Sequence, residues 1–177
     1  MFGDRKPIHF CSRTREGKIR ARLGDEVKDH DYVEGQWAGI RLATRDMGQY
    51  GLVEKLEIDL EDGGEQIRFS AGSQTGTARG LVLSLAGAER TGRLRIDAFQ
   101  VEHGGKTYTN AKARLDGKPL IWAEPMAPAS NSAAGSDPRH EQTARLVKQI
   151  QTKLFGGTQP AATVEALQDS TEEDIPF

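Results

Sequence analysis

The stretch LVEKLEIDLEDGGEQIRFSA, residues 52–71, decides how this chain folds. Apolar residues alternate with charged or polar ones in both of its halves. Such period-two alternation is typical of a strand with one buried and one solvated face. Asp62-Gly63-Gly64 between the halves is a strong turn signal, so the stretch predicts a β-hairpin of strands 52–60 and 65–71. The residues expected on its buried face are Leu56, Ile58, Leu60, Ile67 and Phe69.

The same alternation predicts strands on both sides of this hairpin. Residues 13–17 read as a hairpin loop, 46–51 as a glycine-containing turn and 103–105 as a further turn. The segment 25–35 is acidic and polar and is predicted to be a loop. The remaining predicted strands are 7–12, 18–23, 37–44, 94–101, 106–115 and 120–123.

One helix interrupts the strands. Ala78, Leu81, Val82, Leu85 and Ala86 recur at the spacing of an amphipathic helix. A threonine at 75 or 77 can cap its start and Gly87 its end. The central order is therefore three strands, a helix and two strands. That order is typical of the OB-fold, a five-stranded Greek-key barrel. The fold predicted for residues 1–124 is mainly β, an OB-fold-like barrel with extra N-terminal strands that either extend it or pair between subunits.

The composition changes after the barrel. Residues 125–136 are rich in Pro, Ser, Ala and Gly, which predicts a flexible linker. Residues 137–156 carry apolar side chains at helical spacing, with Asp137 and Pro138 as cap and first turn and Gly156 at the end. This helix either packs on the barrel or a sister subunit, or docks another protein. Residues 157–177 are predicted to be a disordered acidic tail.

Charge and cysteine content exclude several classes of protein. The net charge of -2 divides unevenly, because residues 1–126 carry 20 Lys and Arg against 19 Asp and Glu, and the rest carry 4 against 7. Cys11 is the only cysteine, so an intramolecular disulfide is excluded and a reducing compartment fits. No apolar run approaches the roughly 20 residues of a membrane span, and the first residues lack a signal-peptide core. We therefore expect a cytoplasmic protein.

The chain finishes with Glu172-Glu173-Asp174-Ile175-Pro176-Phe177, and no Lys or Arg follows Lys153. An aromatic ring beside a carboxylate, on an acidic segment, suits an apolar pocket rimmed by basic side chains. Pro176 limits the backbone freedom that is lost on docking. The six residues are therefore predicted to bind a partner protein, although many acidic tails are merely solvated.

This end resembles the acidic tip of bacterial single-stranded DNA-binding proteins, which finish with several acids followed by Ile-Pro-Phe. Asp174 to Phe177 match that tip residue for residue, and Glu172 and Glu173 match in charge. The resemblance implies a barrel that coats single-stranded DNA and a tip that recruits replication, repair and recombination enzymes. The OB-fold is the usual fold of that family. The extra strands and the second helix suggest a divergent version, such as one from a phage or mobile element, and leave a dimer, a tetramer or a monomer open.

Strand binding without sequence preference needs a basic groove for phosphates and flat rings for bases. Phe69 and Phe99 lie in apolar patterns and are expected in the core. The resemblance does not locate the groove, and the arginines also fit a solvated strand face. The residues predicted to bind single-stranded DNA are Arg13, Arg15, Lys18, Arg20, Arg22, Trp37, Arg41, Arg45, Tyr50, Arg68, Tyr108 and Trp122.

Two other classes of function stay open. An interaction protein would use the tip alone, mimicking the host tip without strand binding, and the low aromatic content of 6% favours it. A small metal-dependent nuclease would use Asp59, Glu61 and Asp62, but acids are common at turns. His9 and Cys11 share one strand face without further ligands, which makes a poor metal site. No catalytic residues, metal or cofactor are predicted.

Overall fold

In the part of the chain that the structure describes, a single curled sheet of nine strands forms the body, and two helices pack against it. The computed structural model describes residues 8–129 and 137–157. The strands are β1 (Ile8–Arg13), β2 (Ile19–Leu23), β3 (Glu26–His30), β4 (Tyr32–Asp46), β5 (Leu52–Asp62), β6 (Glu65–Gly72), β7 (Arg93–His103), β8 (Lys106–Leu115) and β9 (Lys118–Pro119). The helices are α1 (Gly76–Ala86) and α2 (Pro138–Phe155), and a 3-10 turn covers Gly48–Tyr50.

The strand order across the sheet is β3-β2-β1-β6-β5-β4-β7-β8-β9. Three consecutive strands, β4, β5 and β6, form antiparallel hairpins, and the chain returns through α1 to place β7 beside β4. This is the spatial order of a Greek key. The prediction of a mainly β body with one internal helix is therefore confirmed.

The N-terminal strands extend this same sheet. β1 pairs with β6 in parallel, and β2 and β3 follow as antiparallel neighbours. The turn between β1 and β2 then reaches the far side of the sheet. There, the carbonyl oxygen of Arg15 accepts hydrogen bonds from Gln100 Nε2 at 2.6 Å and Thr109 Oγ1 at 2.8 Å. These contacts bring the first hairpin against β7 and β8, so the curl is partly closed.

The hairpin predicted for residues 52–71 forms as its sequence predicts. Asp62 lies opposite Glu65, and the two residues between them, Gly63 and Gly64, have φ of 55° and 88°. Positive φ at both central residues is the geometry of a two-residue type I′ turn, which glycine adopts without strain. Leu56, Ile58, Leu60 and Phe69 are fully buried.

Two predictions were wrong. The segment predicted as a loop at 25–35 forms β3 and the start of β4, and β3 escaped notice because all five of its residues are exposed and no alternation marks it. The strand predicted at 120–123 is absent, and the regular pairing there is β9, two residues earlier. This segment leaves the sheet and crosses α1, where Ala123 N donates to Leu83 O at 2.9 Å.

Both helices begin and end where their caps predict. The Thr75 hydroxyl accepts from Ala78 N, and the Asp137 carboxylate accepts from Arg139 N at the start of α2. Gly156 ends α2 in the left-handed conformation. No described helix has the length and apolar character needed to cross a membrane.

The α2 helix packs on the body through Leu146, Val147 and Ile150, which are buried. Gln151 Nε2 donates to Ile40 O at 2.9 Å, and Arg79 pairs with Asp137 at 2.7 Å. Of the predicted alternatives for this helix, packing on the body is therefore the one observed. Of the predicted linker, residues 125–129 lack regular structure, but Gln142 and Arg139 hold Pro125 and Ala127 against α2. Residues 130–136 and the predicted tail from 158 lie outside the described residues.

The buried thiol of Cys11 allows the packing of the core to be tested. Burial raises the pKa of the Cys11 thiol to about 12 from an ordinary value of 9.0. Above pH 9 the unfolded chain loses this proton while the folded chain keeps it, so stability falls as pH rises, by about 1.4 kcal/mol per unit for this group. We expect urea unfolding to show that extra loss relative to Cys11→Ala between neutral pH and about pH 10. Equal pH dependence of the two proteins would contradict the burial of Cys11.

Candidate nucleic-acid interface

The arginines of β4 and β6 are held in a network of buried ion pairs. The cross-strand register places Arg41 opposite Glu57 and Arg68 opposite Asp59. Arg45 Nε and Nη2 donate to the two Glu57 carboxylate oxygens at 2.6 and 2.8 Å, with both residues almost fully buried. Arg45 therefore cannot meet phosphates in this conformation, which corrects its prediction as a strand-binding residue.

Arg41 and Arg68 complete this network. Arg41 reaches Glu57 at 2.7 Å and Asp59 at 2.6 Å, and Arg68 reaches Asp59 at 2.8 Å. Three guanidinium groups thus face two carboxylates, a formal net charge of +1, and each guanidinium is already held by a carboxylate. The same contacts occupy Asp59, and Asp62 pairs with Arg93 at 3.1 Å, so these acids are engaged in ion pairs. Among the described residues, no cluster of His, Cys, Asp and Glu could hold a metal ion.

The cations of the first hairpin are largely ion-paired and do not all share one face, because Arg13 is the cross-strand neighbour of the buried Ile19. As predicted, Arg20 and Arg22 lie on one face, opposite the buried Ile19. Arg20 donates to both oxygens of Asp29 at 2.9 and 3.1 Å, and this bonding lowers the pKa of Asp29. Lys18 pairs with Asp31 and lowers its pKa likewise. Arg13 ends β1, partly buried, and Arg15 lies exposed at the turn.

Trp37 is a core residue and not a stacking surface. Its ring is only 2% exposed, its Nε1 donates to Gly39 O at 3.1 Å, and it meets Phe155 edge-on at 5.4 Å. The bulge in β4 between Trp37 and Gly39 turns the ring inward, a feature that alternation alone does not reveal. The prediction that Trp37 binds single-stranded DNA is therefore corrected.

The exposed predicted rings are not gathered in one place. Tyr50 lies in the 3-10 turn beyond the far end of β4. Trp122 lies beside Gly80 of α1, away from the outer face of the sheet. Tyr108 is the exception, because it projects from β8 on that outer face, opposite Val101. Phe69 is in the core as predicted, whereas Phe99 is only partly buried and faces outward.

The outer side of β7 and β8, with Tyr32 from β4, forms an exposed surface that we call the aromatic face. Residues directly opposite in an antiparallel pair share a face, and the register aligns Arg95 with Arg114, Phe99 with Asn110 and Val101 with Tyr108. Leu94, Ile96, Ala111 and Ala113 point the other way, into the core. The full aromatic face consists of Tyr32, Glu34, Gln36, Arg93, Arg95, Asp97, Phe99, Val101, His103, Lys106, Tyr108, Asn110, Lys112 and Arg114.

Cations and rings are interleaved on this face. The Arg95 guanidinium lies 3.6 Å from the centre of the Tyr32 ring, and Lys112 Nζ lies 5.4 Å from the centre of Phe99. Two carboxylates lie on the described part of this strip: Glu34 pairs with Arg93 at 2.6 Å, and Asp97 pairs with Arg95 at 2.7 Å and with Arg114 at 3.4 Å. The hydrogen bond from Arg95 to Asp97 raises the pKa of Arg95. Five Lys and Arg residues against two carboxylates leave the aromatic face cationic.

Part of this face was visible in the sequence. The strand at 94–101 and its partner at 106–115 were predicted, and their alternation already places Arg95, Lys112 and Arg114 away from the apolar side. Phe99 was counted among core residues because its neighbour positions are apolar. Tyr32 could not be placed, since it lay in a segment predicted as a loop.

Comparison of the chain with protein-family models, with curated proteins and with solved structures gives no match in any of the three.

Proposed function

We propose that the protein binds single-stranded DNA without strong sequence preference, and that the aromatic face is where the strand lies. The observation that carries the proposal is the interleaving of Tyr32, Phe99 and Tyr108 with Arg95 and Lys112 on one open strip. Rings stack on unpaired bases at about 1–3 kcal/mol each, and cations follow the phosphates. Base pairs in a duplex hide their faces, so such a strip favours unpaired strands.

The proposal includes the finer assignment of the body as an OB-fold-like barrel. Its support is the Greek-key set β4, β5, β6, β7, with α1 between β6 and β7 and with β8 added beside β7. OB-folds bind oligonucleotides on a strand face and through the loops that flank it. The aromatic face ends at one such loop, at His103–Lys106.

We further propose that Glu172 to Phe177, which lie outside the described residues, bind partner enzymes of DNA replication, repair or recombination. The support is the resemblance of these residues to the single-stranded DNA-binding tip, together with their acidic and aromatic chemistry. The protein would act in the cytoplasm as a non-enzymatic binder, holding the strand with its body and its partners with the tip.

A titration of oligo-dT across salt concentrations, read by fluorescence anisotropy, tests the function. Four cations of the aromatic face, Arg95, Lys106, Lys112 and Arg114, predict a slope of log K against log salt of about −2 to −3. A variant ending at Thr171 should bind oligo-dT as tightly or slightly more tightly, because acidic charge is removed, and should lose its enzyme partners. Absence of oligo-dT binding, or a slope near zero, would contradict strand binding.

A second candidate is an interaction protein that uses the tip without strand binding. The ion-paired network of Arg41, Arg45 and Arg68 with Glu57 and Asp59 favours it, since each of these arginines is already held by a carboxylate. The same titration separates the two functions, because only the second predicts partner capture by the full chain with no affinity for oligo-dT.

A further inference from the structure

Strand β3 is the exposed edge of the sheet. It pairs with β2 on one side, and in the part of the chain that the structure describes no strand pairs with its other side. All five residues, Glu26 to His30, are exposed. An edge strand presents unpaired backbone N–H and C=O groups that can accept another strand. We propose that β3 pairs antiparallel with β3 of a second copy, joining two sheets about a two-fold axis.

The charges of β3 select one register for this pairing. With Val27 at the two-fold axis, Val27 lies opposite its own counterpart, and Glu26 lies opposite Lys28 of the second copy, twice. Residues directly opposite each other share a face, so two ion pairs form on one face and a Val–Val contact on the other. In the single chain Glu26 and Lys28 pair only along the strand, at 2.5 Å.

The neighbouring register is disfavoured. If Lys28 lay at the axis, two lysines would face each other directly, which is destabilising. The register centred on Val27 does place Asp29 directly opposite Asp25 of the second copy, an unfavourable pair, but Arg20 already binds both oxygens of Asp29 and offsets its charge. A two-fold interface requires the strand to be complementary to a second copy of itself, and the register centred on Val27 meets this requirement.

The consequence is a continuous outer surface across the axis. Val27 lies opposite Arg22 of β2, and Asp29 opposite Arg20, so these four side chains share the outer face of the sheet. In the dimer the two copies of Arg20 and Arg22 flank a central pair of valines. Because a five-residue strand buries little area, the dimer should be of moderate affinity and depend on protein concentration.

Charge exchange tests the register. Glu26→Lys alone opposes lysines across the axis, and Lys28→Glu alone opposes glutamates, so each variant should dimerise about tenfold more weakly than the natural chain. An equimolar mixture of the two variants pairs every lysine with a glutamate and should recover dimers. Sedimentation equilibrium over a range of concentrations measures both. A natural chain that stays monomeric, or single variants that dimerise undiminished, would overturn the proposal.

Cross-linking gives an independent measurement on folded protein. Val27→Cys should form a covalent dimer under mild oxidation, since the two side chains meet at the axis, while the buried Cys11 stays unreactive. Val101→Cys is the matched control, because Val27 and Val101 are 45% and 43% exposed. Cross-linking of Val101→Cys at the same rate would show random collision and refute the interface.

Discussion

Replacing Tyr32, Phe99 and Tyr108 together by alanine should weaken oligo-dT binding about 100-fold or more. Each ring offers a stacking surface worth about 1–3 kcal/mol, and each 1.4 kcal/mol is a factor of ten in affinity. The three rings share the outer face of β4, β7 and β8, so one strand can contact them in succession. The fold should survive, because none of the three belongs to the buried core.

The matched control for this loss is Trp122→Ala. Trp122 and Tyr108 are equally exposed, at 51%, but Trp122 lies beside α1 and not on the aromatic face. We expect Trp122→Ala to leave the affinity unchanged within a factor of about two, an energy of about 0.4 kcal/mol. A loss confined to Trp122→Ala, with the triple variant binding normally, would move the site to the surface over α1.

Substituting cations on the aromatic face separates the contribution of charge to DNA binding from the contribution of ring stacking. Lys112 lies over the Phe99 ring and is exposed on β8. Arg41 is the useful comparison with Lys112, because the Arg41 guanidinium is held between Glu57 and Asp59 in the ion-pair network. If single-stranded DNA lies on the aromatic face, replacing Lys112 should weaken binding more than replacing Arg41. If it lay over the network instead, replacing Arg41 would have the larger effect.

Most of the fold followed from alternation, turn and cap signals. The hairpin at 52–71, both helices and the pair at 94–115 carried period-two or helical patterns strong enough to place them. Each of the two wrong predictions of secondary structure has a physical cause. β3 is exposed along its whole length and so shows no alternation, and the segment around Trp122 is apolar because it crosses a helix.

The site was harder to predict because side chains acquire partners only in three dimensions. From the sequence, Arg41, Arg45 and Arg68 were predicted to bind phosphates. In the folded sheet they form ion pairs with Glu57 and Asp59 instead. The sequence does place both signs of charge on these strands, but it does not reveal which pairs lie opposite. The aromatic face shows the converse, since its residues are spread over three strands that only the topology brings together.

Trp37→Ala should lower the free energy of unfolding by about 3–5 kcal/mol, the usual loss when a large buried ring is removed. A typical domain has about 5–15 kcal/mol in all, so this variant should lie near the limit of folding. Trp37 fills the core at the bulge of β4, packs edge-on against Phe155 of α2 and donates to Gly39 O. Its removal therefore loosens the contact between the sheet and α2.

Urea unfolding of Trp37→Ala, Phe155→Ala and the double variant measures this contact. The two rings should show a coupling energy of about 0.5–1.5 kcal/mol, because their edge-on pairing is lost in either single variant. Trp37→Phe serves as a control that keeps a ring in the core without the indole hydrogen bond. If Trp37 were instead a base-stacking residue, its alanine variant would keep its stability and lose oligo-dT affinity. The buried position requires the opposite result, with strand binding retained wherever the variant is still folded.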